Sequence, residues 1–256
     1  MCYLHSQGLS GVTAAVYVAG VRSNHIEQGY DDPCRDNRYL MMILKGYTNE
    51  TKPLTQGRKP LTLFYLSQLR RALAKKTLAE YDKIMLWSAF TLAFHGMLRV
   101  SEYTSPFLLK FSQTTLLRSD VELTESRLKV MLKRDKTHQR TQPPPIHLTR
   151  DDSDCCPVRS MWKYLQLRPE TADFPLFVFK DGSFLTRQRV NKELRNNLGP
   201  KFTSHSFRIG AATTASHAGF TNEQIRVMGR WRSDVSNRYV RPDFIKMNYT
   251  MNKRTR

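Results

Sequence analysis

The chain has 256 residues, of which 41 are Lys or Arg and 22 are Asp or Glu, so its formal net charge at pH 7 is +19. Hydrophobic residues make up 40% of the chain and aromatic residues 11%, which argues against intrinsic disorder, because disorder requires low hydrophobicity. So large an excess of cations favours a polyanionic partner, either nucleic acid or an anionic membrane surface, over a domain that is merely soluble.

Several classes of protein are disfavoured by simple features of the chain. The longest apolar stretch, residues 84–98, contains polar residues and is shorter than the about 20 apolar residues of a membrane-spanning helix, so we expect a buried core helix. The N-terminus lacks a basic segment followed by an apolar run, which argues against a secretory signal. The 4 cysteines form no C-x-x-C pair, so we expect reduced thiols and no metal site.

The N-terminal region is predicted to be helical. The first helix follows Ser10, a residue type that accepts hydrogen bonds from the first amides of a helix. Its apolar positions follow helical spacing and are Val12, Val16, Ala19 and Ile26. A second helix is predicted over Arg38–Tyr47, and Pro and Gly residues mark 48–60 as a linker. These features predict one unit over residues 1–56 and another over 57–256.

The second unit begins with helices, continues with strands and ends with helices. Thr62 is predicted to cap a helix that extends to Lys76, and a long apolar helix is predicted over Glu80–Leu98. Three strands follow, with a turn at 135–139, and they are Val121–Leu123, Arg127–Leu132 and Pro143–Leu148. The remaining predicted helices are Asp154–Arg168, Thr186–Leu198, Ser204–Ala218 and Thr221–Gly229. The predicted fold class is mainly α with a small antiparallel β-sheet (α+β).

Positive charge is concentrated towards the C-terminus. Residues 200–256 carry 11 basic and 3 acidic side chains, a net charge of +8 in 57 positions. Residues 1–60 carry a net charge of only +2. The C-terminal fifth of the chain is therefore its most basic part, and the place where contacts to a polyanion are expected.

Four short segments carry chemically distinctive residues. In chain order they are HGMLRVSEYTS with Arg99 and Glu102, LKRDKTHQR with Lys136, TSHSFRIGAATTA with His205 and Arg208, and MGRWRSDVSNRYVR with Trp231 and Tyr239. Each segment alone is a weak signal, because an Arg after an apolar helix or a lone Tyr is usually a surface residue. Their order and spacing carry more information than any one of them.

Together, these segments resemble the tyrosine recombinase (phage integrase) family, which has an Arg in an R-x-S-E stretch, a Lys in a β-hairpin, an H-x-x-R pair, a His or Trp after a Gly, and a Tyr nucleophile. The pattern G-R-W-x-S-D is most similar to recombinases of eukaryotic DIRS-type and Crypton-type mobile elements. The resemblance covers roughly residues 60–248. It implies a tyrosine recombinase catalytic domain over 57–256, preceded over 1–56 by a partial helical core-binding domain and linker.

The resemblance implies a catalytic role for several residues. Tyr239 would be the nucleophile, forming a covalent 3′-phosphotyrosyl intermediate and releasing a 5′-hydroxyl. Arg99 and Arg208 would hold the non-bridging phosphate oxygens and stabilise the charge of the transition state. His205, which shares a helix face with Arg208, would assist proton transfer at the tyrosine. Lys136 would protonate the leaving oxygen.

Other residues are assigned supporting roles by the same resemblance. Trp231 would either donate its indole N–H to a phosphate oxygen or pack to position the tyrosine. Glu102 would orient an active-site His or Lys without touching DNA. Lys133 remains an alternative to Lys136 as the hairpin lysine, because the strand register is open. The residues expected to contact DNA are Lys133, Arg134, Arg230, Arg232 and Arg238.

The expected function is DNA strand cleavage and rejoining in support of site-specific recombination or integration of a mobile element. The tyrosyl ester conserves the bond energy, so no metal or other cofactor is expected. We expect double-stranded DNA as the partner, a homotetramer on paired DNA sites, and no membrane association. The expected location is the nucleus if the source is eukaryotic and the cytoplasm otherwise.

Two alternatives share part of this description. A catalytically inactive or truncated derivative would bind DNA without cutting it. The presence of the full residue set argues against this alternative, and the set is Arg99, Lys136, His205, Arg208 and Tyr239. A type IB topoisomerase would use the same chemistry as a monomer, relaxing supercoils without site specificity, whereas a recombinase requires paired sites.

Overall fold

A computed structural model of the chain describes residues 2–51, 58–133, 143–169 and 171–231. Contacts between Cα atoms divide the chain into two units, residues 1–56 and residues 57–256. Among the helices within the described ranges, none is both long enough and apolar enough to cross a membrane.

Residues 2–51 of the first unit form the helices α1 (Cys2–Ser6), α2 (Gly11–Glu27) and α3 (Arg38–Glu50). Helix α2 begins where the sequence predicts, because Ser10 Oγ accepts a hydrogen bond from Thr13 N at 3.2 Å. At Gly11 the helix approaches α3 so closely that a Cβ atom would lie 2.4 Å from Thr48 N. The backbone N–H of Gly11 also donates to Thr51 Oγ1 at 2.6 Å, which holds the two helices together.

The buried face of α2 differs from the face that its apolar spacing indicates. Val12 is 60% exposed and Val16 is 68% exposed, whereas Ala14 is fully buried. The reason is steric: small residues at Gly11 and Ala14 allow the close approach to α3 that larger side chains would block. The helix is confirmed, but hydrophobicity alone indicates the wrong face.

Within the described ranges, the α-helices and strands of the second unit are α4 (Leu63–Ala74), α5 (Glu80–His95), α6 (Val100–Tyr103), β1 (Val121–Leu123), β2 (Arg127–Val130), β3 (Ile146–Thr149), α7 (Pro157–Leu167), α8 (Arg187–Leu198), α9 (Ser204–His217) and α10 (Asn222–Met228). The strands form one sheet in the order β1-β2-β3 with antiparallel neighbours. Val130 in the central strand pairs with Val121 on one side and Ile146 on the other. The predicted fold class, mainly α with a small antiparallel sheet, is confirmed.

Helix α5 is the central helix of the second unit. Its residues from 88 to 94 are all buried, as expected for an apolar helix that lies in the core rather than at a surface. Its Phe90 ring lies 5.4 Å from the ring of Phe207 on α9. The buried hydroxyls of Thr91 and Ser160 satisfy each other at 2.6 Å between α5 and α7. These contacts to α7 and α9 hold α5 in place, and they thereby fix its C-terminal end, where the candidate site begins.

Element boundaries depart from the predictions at a few places. The helix predicted to extend to Leu98 ends at His95, because Met97 adopts a positive φ of 46° that reverses the chain. The short helix α6 then follows and is not predicted. Strand β3 begins at Ile146 rather than Pro143, because proline cannot donate a hydrogen bond to the neighbouring strand. The predicted turn at 135–139 lies outside the described residues.

Candidate active site

The turn after α5 places Arg99 directly before α6. Because Met97 reverses the chain direction, Arg99 becomes the N-cap residue of α6. Glu102, one turn into α6, accepts a hydrogen bond from Arg99 N at 2.9 Å and another from Arg99 Nη1 at 3.0 Å. One carboxylate therefore orients both the backbone and the guanidinium of Arg99.

A second turn, at the end of α10, meets the first. Arg230 has a positive φ of 54°, and its guanidinium donates to Glu102 Oε2 at 2.9 Å and to Gly96 O at 3.1 Å. Gly229 lies against the indole of Trp231, where an added Cβ atom would be 1.6 Å from the ring. The turn therefore requires glycine at this position, and Arg230 connects it to the turn after α5.

Arg208 on α9 also connects the turn after α5 to the turn after α10. Its guanidinium donates to Met97 O and to Gly229 O, and the residue is only 1% exposed. Carbonyl groups at helix C-termini carry partial negative charge, which stabilises a buried cation. The ring of Trp231 covers the guanidinium, with the ring centroid 4.1 Å from its central carbon, a distance suited to a cation–π interaction.

His205 lies one helical turn before Arg208 and is half-buried. Burial, together with nearby positive charges, lowers the pKa of His205 to about 4. The charges that contribute belong to Arg58, Arg208, Arg99 and Arg187. At pH 7 the imidazole is therefore neutral, which leaves one ring nitrogen able to accept a proton.

The sequence motifs do not predict Arg58 or Arg187. Arg187 is the first residue of α8, following the N-cap Thr186, and Arg58 lies in the segment before α4. Both are exposed, so each alone resembles an ordinary surface arginine. The packing of their segments beside α9 is what brings them towards His205, and local sequence carries no signal of that packing.

The remaining predicted positions fall at or beyond the edges of the described ranges. Lys133 follows β2 and places Nζ 3.4 Å from Asp120 Oδ2, while the same carboxylate accepts from Leu117 N at 2.7 Å. The predicted residues that lie outside the described residues are Arg134, Lys136, Arg232, Arg238 and Tyr239. The choice between Lys133 and Lys136 as hairpin lysine stays a prediction.

Arg230 and Glu102 have surroundings that differ from those predicted for them. Arg230 is predicted to contact DNA, but it is 7% exposed because its guanidinium donates to Glu102 and to a backbone carbonyl. Glu102 is predicted to orient a His or Lys, but the partners found for its carboxylate within the described ranges are Arg99 and Arg230. Trp231 packs on Arg208.

The arrangement is suited to binding and activating a phosphodiester. Arg99 is held by Glu102 with part of its side chain exposed, so it can donate to phosphate oxygens. The positive field around His205 would stabilise the additional negative charge of a pentavalent transition state. A neutral imidazole in the same place can accept a proton from an attacking hydroxyl.

Comparison with known proteins relates this arrangement to solved structures. Neither a protein-family model nor a curated protein sequence matches the chain. The structure is similar to that of the Tn1549 transposon integrase in complex with a circular intermediate DNA, with a TM-score of 0.64 and 14% identity, over 98% of this chain and 82% of the integrase chain.

Two further structures give a similar result. The XerA recombinase has a TM-score of 0.54 and 17% identity, over 92% of this chain and 81% of its own. A lambda integrase dimer bound to a COC′ core site has a TM-score of 0.51 and 12% identity, over 87% of this chain and 63% of its own. Because the sequence identities are so low, these comparisons establish a similarity of fold. The fold of the chain, mainly helical with a small antiparallel sheet, matches that of the tyrosine recombinase catalytic domain.

Proposed function

We propose that the protein belongs to the tyrosine recombinases and cleaves and rejoins DNA strands through a covalent 3′-phosphotyrosyl intermediate. The observation that carries this proposal is the convergence of Arg99, His205 and Arg208, from segments far apart in the sequence, within this fold. The similar structures support it, since they include a transposon integrase and lambda integrase in complexes with DNA.

The proposed reaction is an exchange of one phosphate ester for another. The phenolic oxygen of Tyr239 attacks the phosphorus atom, so that a bond from phosphorus to the tyrosyl oxygen forms and the bond to the 5′-oxygen breaks. The neutral imidazole of His205 takes the phenolic proton, and Lys136 gives a proton to the leaving 5′-oxygen. Attack by a 5′-hydroxyl reverses every step and rejoins the strand without an external energy source.

The two arginines contribute in different ways to this reaction. Arg99, oriented by Glu102, donates to a non-bridging oxygen of the phosphate. Arg208 lies beneath Trp231, so direct contact with a phosphate requires the indole ring to move. Without that movement the charge of Arg208 acts on the phosphate through the local field, which is strong where water is excluded.

We further propose a biological setting for this activity. The pattern G-R-W-x-S-D at residues 229–234 supports a recombinase of a DIRS-type or Crypton-type mobile element, which acts in the nucleus if the source is eukaryotic. The net charge of +19 supports double-stranded DNA as the partner. Recombination between two sites would require a homotetramer, and the tyrosyl ester makes a metal unnecessary.

Formation of a covalent protein–DNA adduct tests the proposal. The substrate is a pool of nicked duplexes of randomised sequence, in which the short fragment with the new 5′-hydroxyl diffuses away after cleavage and leaves the adduct trapped. We expect a band on a denaturing gel that disappears with Tyr239→Phe and with Arg99→Ala. Tyr39→Phe, which changes a tyrosine that is 81% exposed on α3, serves as the matched control and retains the band.

The other outcomes assign the function differently. An adduct that persists in Tyr239→Phe would show that another residue is the nucleophile. DNA binding without any adduct would indicate a non-catalytic DNA-binding protein. An adduct accompanied by relaxation of supercoiled plasmid, with no preference for particular sites, would favour a topoisomerase of type IB.

A further inference from the structure

Two exposed arginines, Arg58 and Arg187, lie near His205 and have no role in the mechanism described above. They come from separate segments of the second unit, one before α4 and the other at the start of α8. Their positions are set by hydrogen bonds that connect both segments to the N-terminal turn of α9. The inference drawn from them rests on the proposed function, because it takes DNA as the ligand.

Arg187 lies on the face of α8 that contacts the first turn of α9. Asn191, four residues later on α8, shares a helix face with Arg187, and its Oδ1 atom accepts from Ser204 N at 2.8 Å. Ser204 directly precedes His205. The strand-like contact before α8, in which Ser105 N donates to Leu185 O at 2.8 Å, holds the start of α8 beside the segment that follows α6.

Arg58 approaches the same residue from another side. Lys59 N donates to Lys201 O at 3.2 Å, and Leu61 N donates to Ser206 O at 2.9 Å. These two bonds align the segment 58–61 with the loop and first turn of α9. Both Arg58 and Arg187 are among the charges that lower the pKa of His205, which agrees with their placement by the backbone contacts.

Among the described residues, Arg58 and Arg187 differ from neighbouring arginines in their ion pairing. Within the ranges that the structure describes, neither Arg58 nor Arg187 forms an ion pair. By contrast, Arg189, on the same helix, pairs with Glu193 at 2.9 Å, and Arg99 pairs with Glu102. Like charges placed near one another repel, and an anionic ligand would remove that repulsion.

We propose that Arg58 and Arg187 bind the DNA backbone phosphates adjacent to the phosphate that reacts at Arg99 and His205. The two side chains would hold the strand on the α4 side and the α8 side of the α9 N-terminus. They would position the reacting phosphate without taking part in bond making or breaking. Contacts to phosphates of this kind set register and affinity but do not read base sequence.

The salt dependence of DNA binding tests this proposal. The logarithm of the DNA-binding constant falls linearly with the logarithm of the salt concentration, and each lost phosphate contact reduces the magnitude of this slope by about 0.9. Arg58→Gln and Arg187→Gln should each lower the slope by that amount, the double variant by twice as much, with duplexes of randomised sequence as the probe. The same relation predicts about five-fold weaker binding per variant at physiological salt. Arg58→Lys and Arg187→Lys keep the charge and should keep most of the slope.

Arg195→Gln provides the matched control. Arg195 is an exposed arginine on the same helix, eight residues beyond Arg187, or about 12 Å along the axis. Its loss should change the slope much less. A histidine titration followed by NMR checks the placement without DNA: the pKa of His205 should rise in Arg58→Gln and in Arg187→Gln and stay unchanged in Arg195→Gln.

The outcomes separate this proposal from the proposed function. A reduced slope in both glutamine variants supports the proposal even if the wild type forms no adduct, in which case only the catalytic assignment fails. An unchanged slope and affinity in both variants overturns the proposal even if the adduct forms normally. Absence of any DNA binding by the wild-type chain at low salt also overturns it.

Discussion

Glu102 holds the two guanidinium groups that define the edge of the site. Its side chain is 2% exposed and bonds to both Arg99 and Arg230. A carboxylate in such a position compensates a buried cation that would otherwise be costly. The residue fixes Arg99 and connects the turns after α5 and α10, and in the proposed mechanism it would act on the phosphate only indirectly.

Replacing this carboxylate should be strongly destabilising. Glu102→Gln removes the negative charge to which the buried guanidinium of Arg230 is bonded, so we expect the free energy of unfolding to fall by about 3–5 kcal/mol. Urea denaturation measures the change. Glu122→Gln, which removes a carboxylate that is 63% exposed and paired with Lys129, should cost less than about 1 kcal/mol. Equal losses in the two variants would contradict the structural role of Glu102.

His205 should make the stability of the protein sensitive to mild acid. Its pKa is lowered to about 4 in the folded protein, against an ordinary value of 6.5, so the unfolded chain binds more protons between these values. Its contribution is complete above pH 6.5 and is lost as the pH falls towards 4. The loss should stay below about 3 kcal/mol, because water screens a half-buried ring.

Unfolding measured at a series of pH values tests this expectation. In His205→Gln the slope of stability against pH should become shallower between pH 4 and 6.5. His147→Gln, which removes an exposed histidine on β3, is the control for a change of residue type. Parallel pH profiles in the wild type and in His205→Gln would show that the ring is not held neutral.

Motif spacing could predict some of these residues and not others. Arg99, His205 and Arg208 belong to segments with a recognisable order, and the structure brings all three together. The DNA contact of Arg230 stays a prediction, and its burial could not be predicted because its partner, Glu102, lies 128 residues earlier. No local pattern reports a buried ion pair over that separation.

At the level of elements, helix starts are predicted better than helix ends. The residues that cap α2 and α8 accept hydrogen bonds from amides three residues on, so the signal is local. The end of α5 depends on Met97 taking a positive φ, a conformation usually adopted by glycine. Sequence patterns gave no reason to expect that turn or the short helix α6.

The crossing of α9 over the segment before α4 requires glycine. A Cβ atom on Gly210 would lie 1.8 Å from the backbone oxygen of Leu61, so Gly210→Ala should lower the free energy of unfolding by at least about 2 kcal/mol. Gly46→Ala on α3, where a Cβ atom meets nothing within 4 Å, should instead stabilise by about 0.5–1 kcal/mol. Thermal unfolding compares the two, and similar effects would rule out the close crossing.

At the scale of the whole molecule, the charge of +19 has two parts. One part is the excess of Lys and Arg along the whole sequence, which would neutralise phosphates along a duplex and make binding depend on salt. A small part is concentrated around His205, where the charges of Arg58, Arg99, Arg187 and Arg208 lower its pKa. Composition predicts the first part, whereas only the packing of separate segments reveals the second.

The fold is recognisable by structure although the sequence has diverged widely. The solved structures described above are 12–17% identical to this chain. Such divergence is compatible with one fold because a helix such as α5 needs apolar residues at its buried positions, not particular ones. The burial of α5 is therefore predictable from its apolar sequence, whereas the buried face of α2 is not. The assignment of residues 1–56 as a core-binding segment stays a prediction.

Identification of the residue joined to DNA tests the central claim most directly. The trapped adduct is digested with nuclease and trypsin, and the peptide that retains a nucleotide is sequenced by mass spectrometry. Trypsin cleaves after Arg238 but not between Arg241 and Pro242, and its next site is Lys246. The proposed mechanism therefore predicts the nucleotide on the peptide of residues 239–246, attached through a 3′-phosphate to the tyrosyl oxygen of Tyr239. A nucleotide on any other residue, or linked through its 5′-phosphate, would contradict the mechanism.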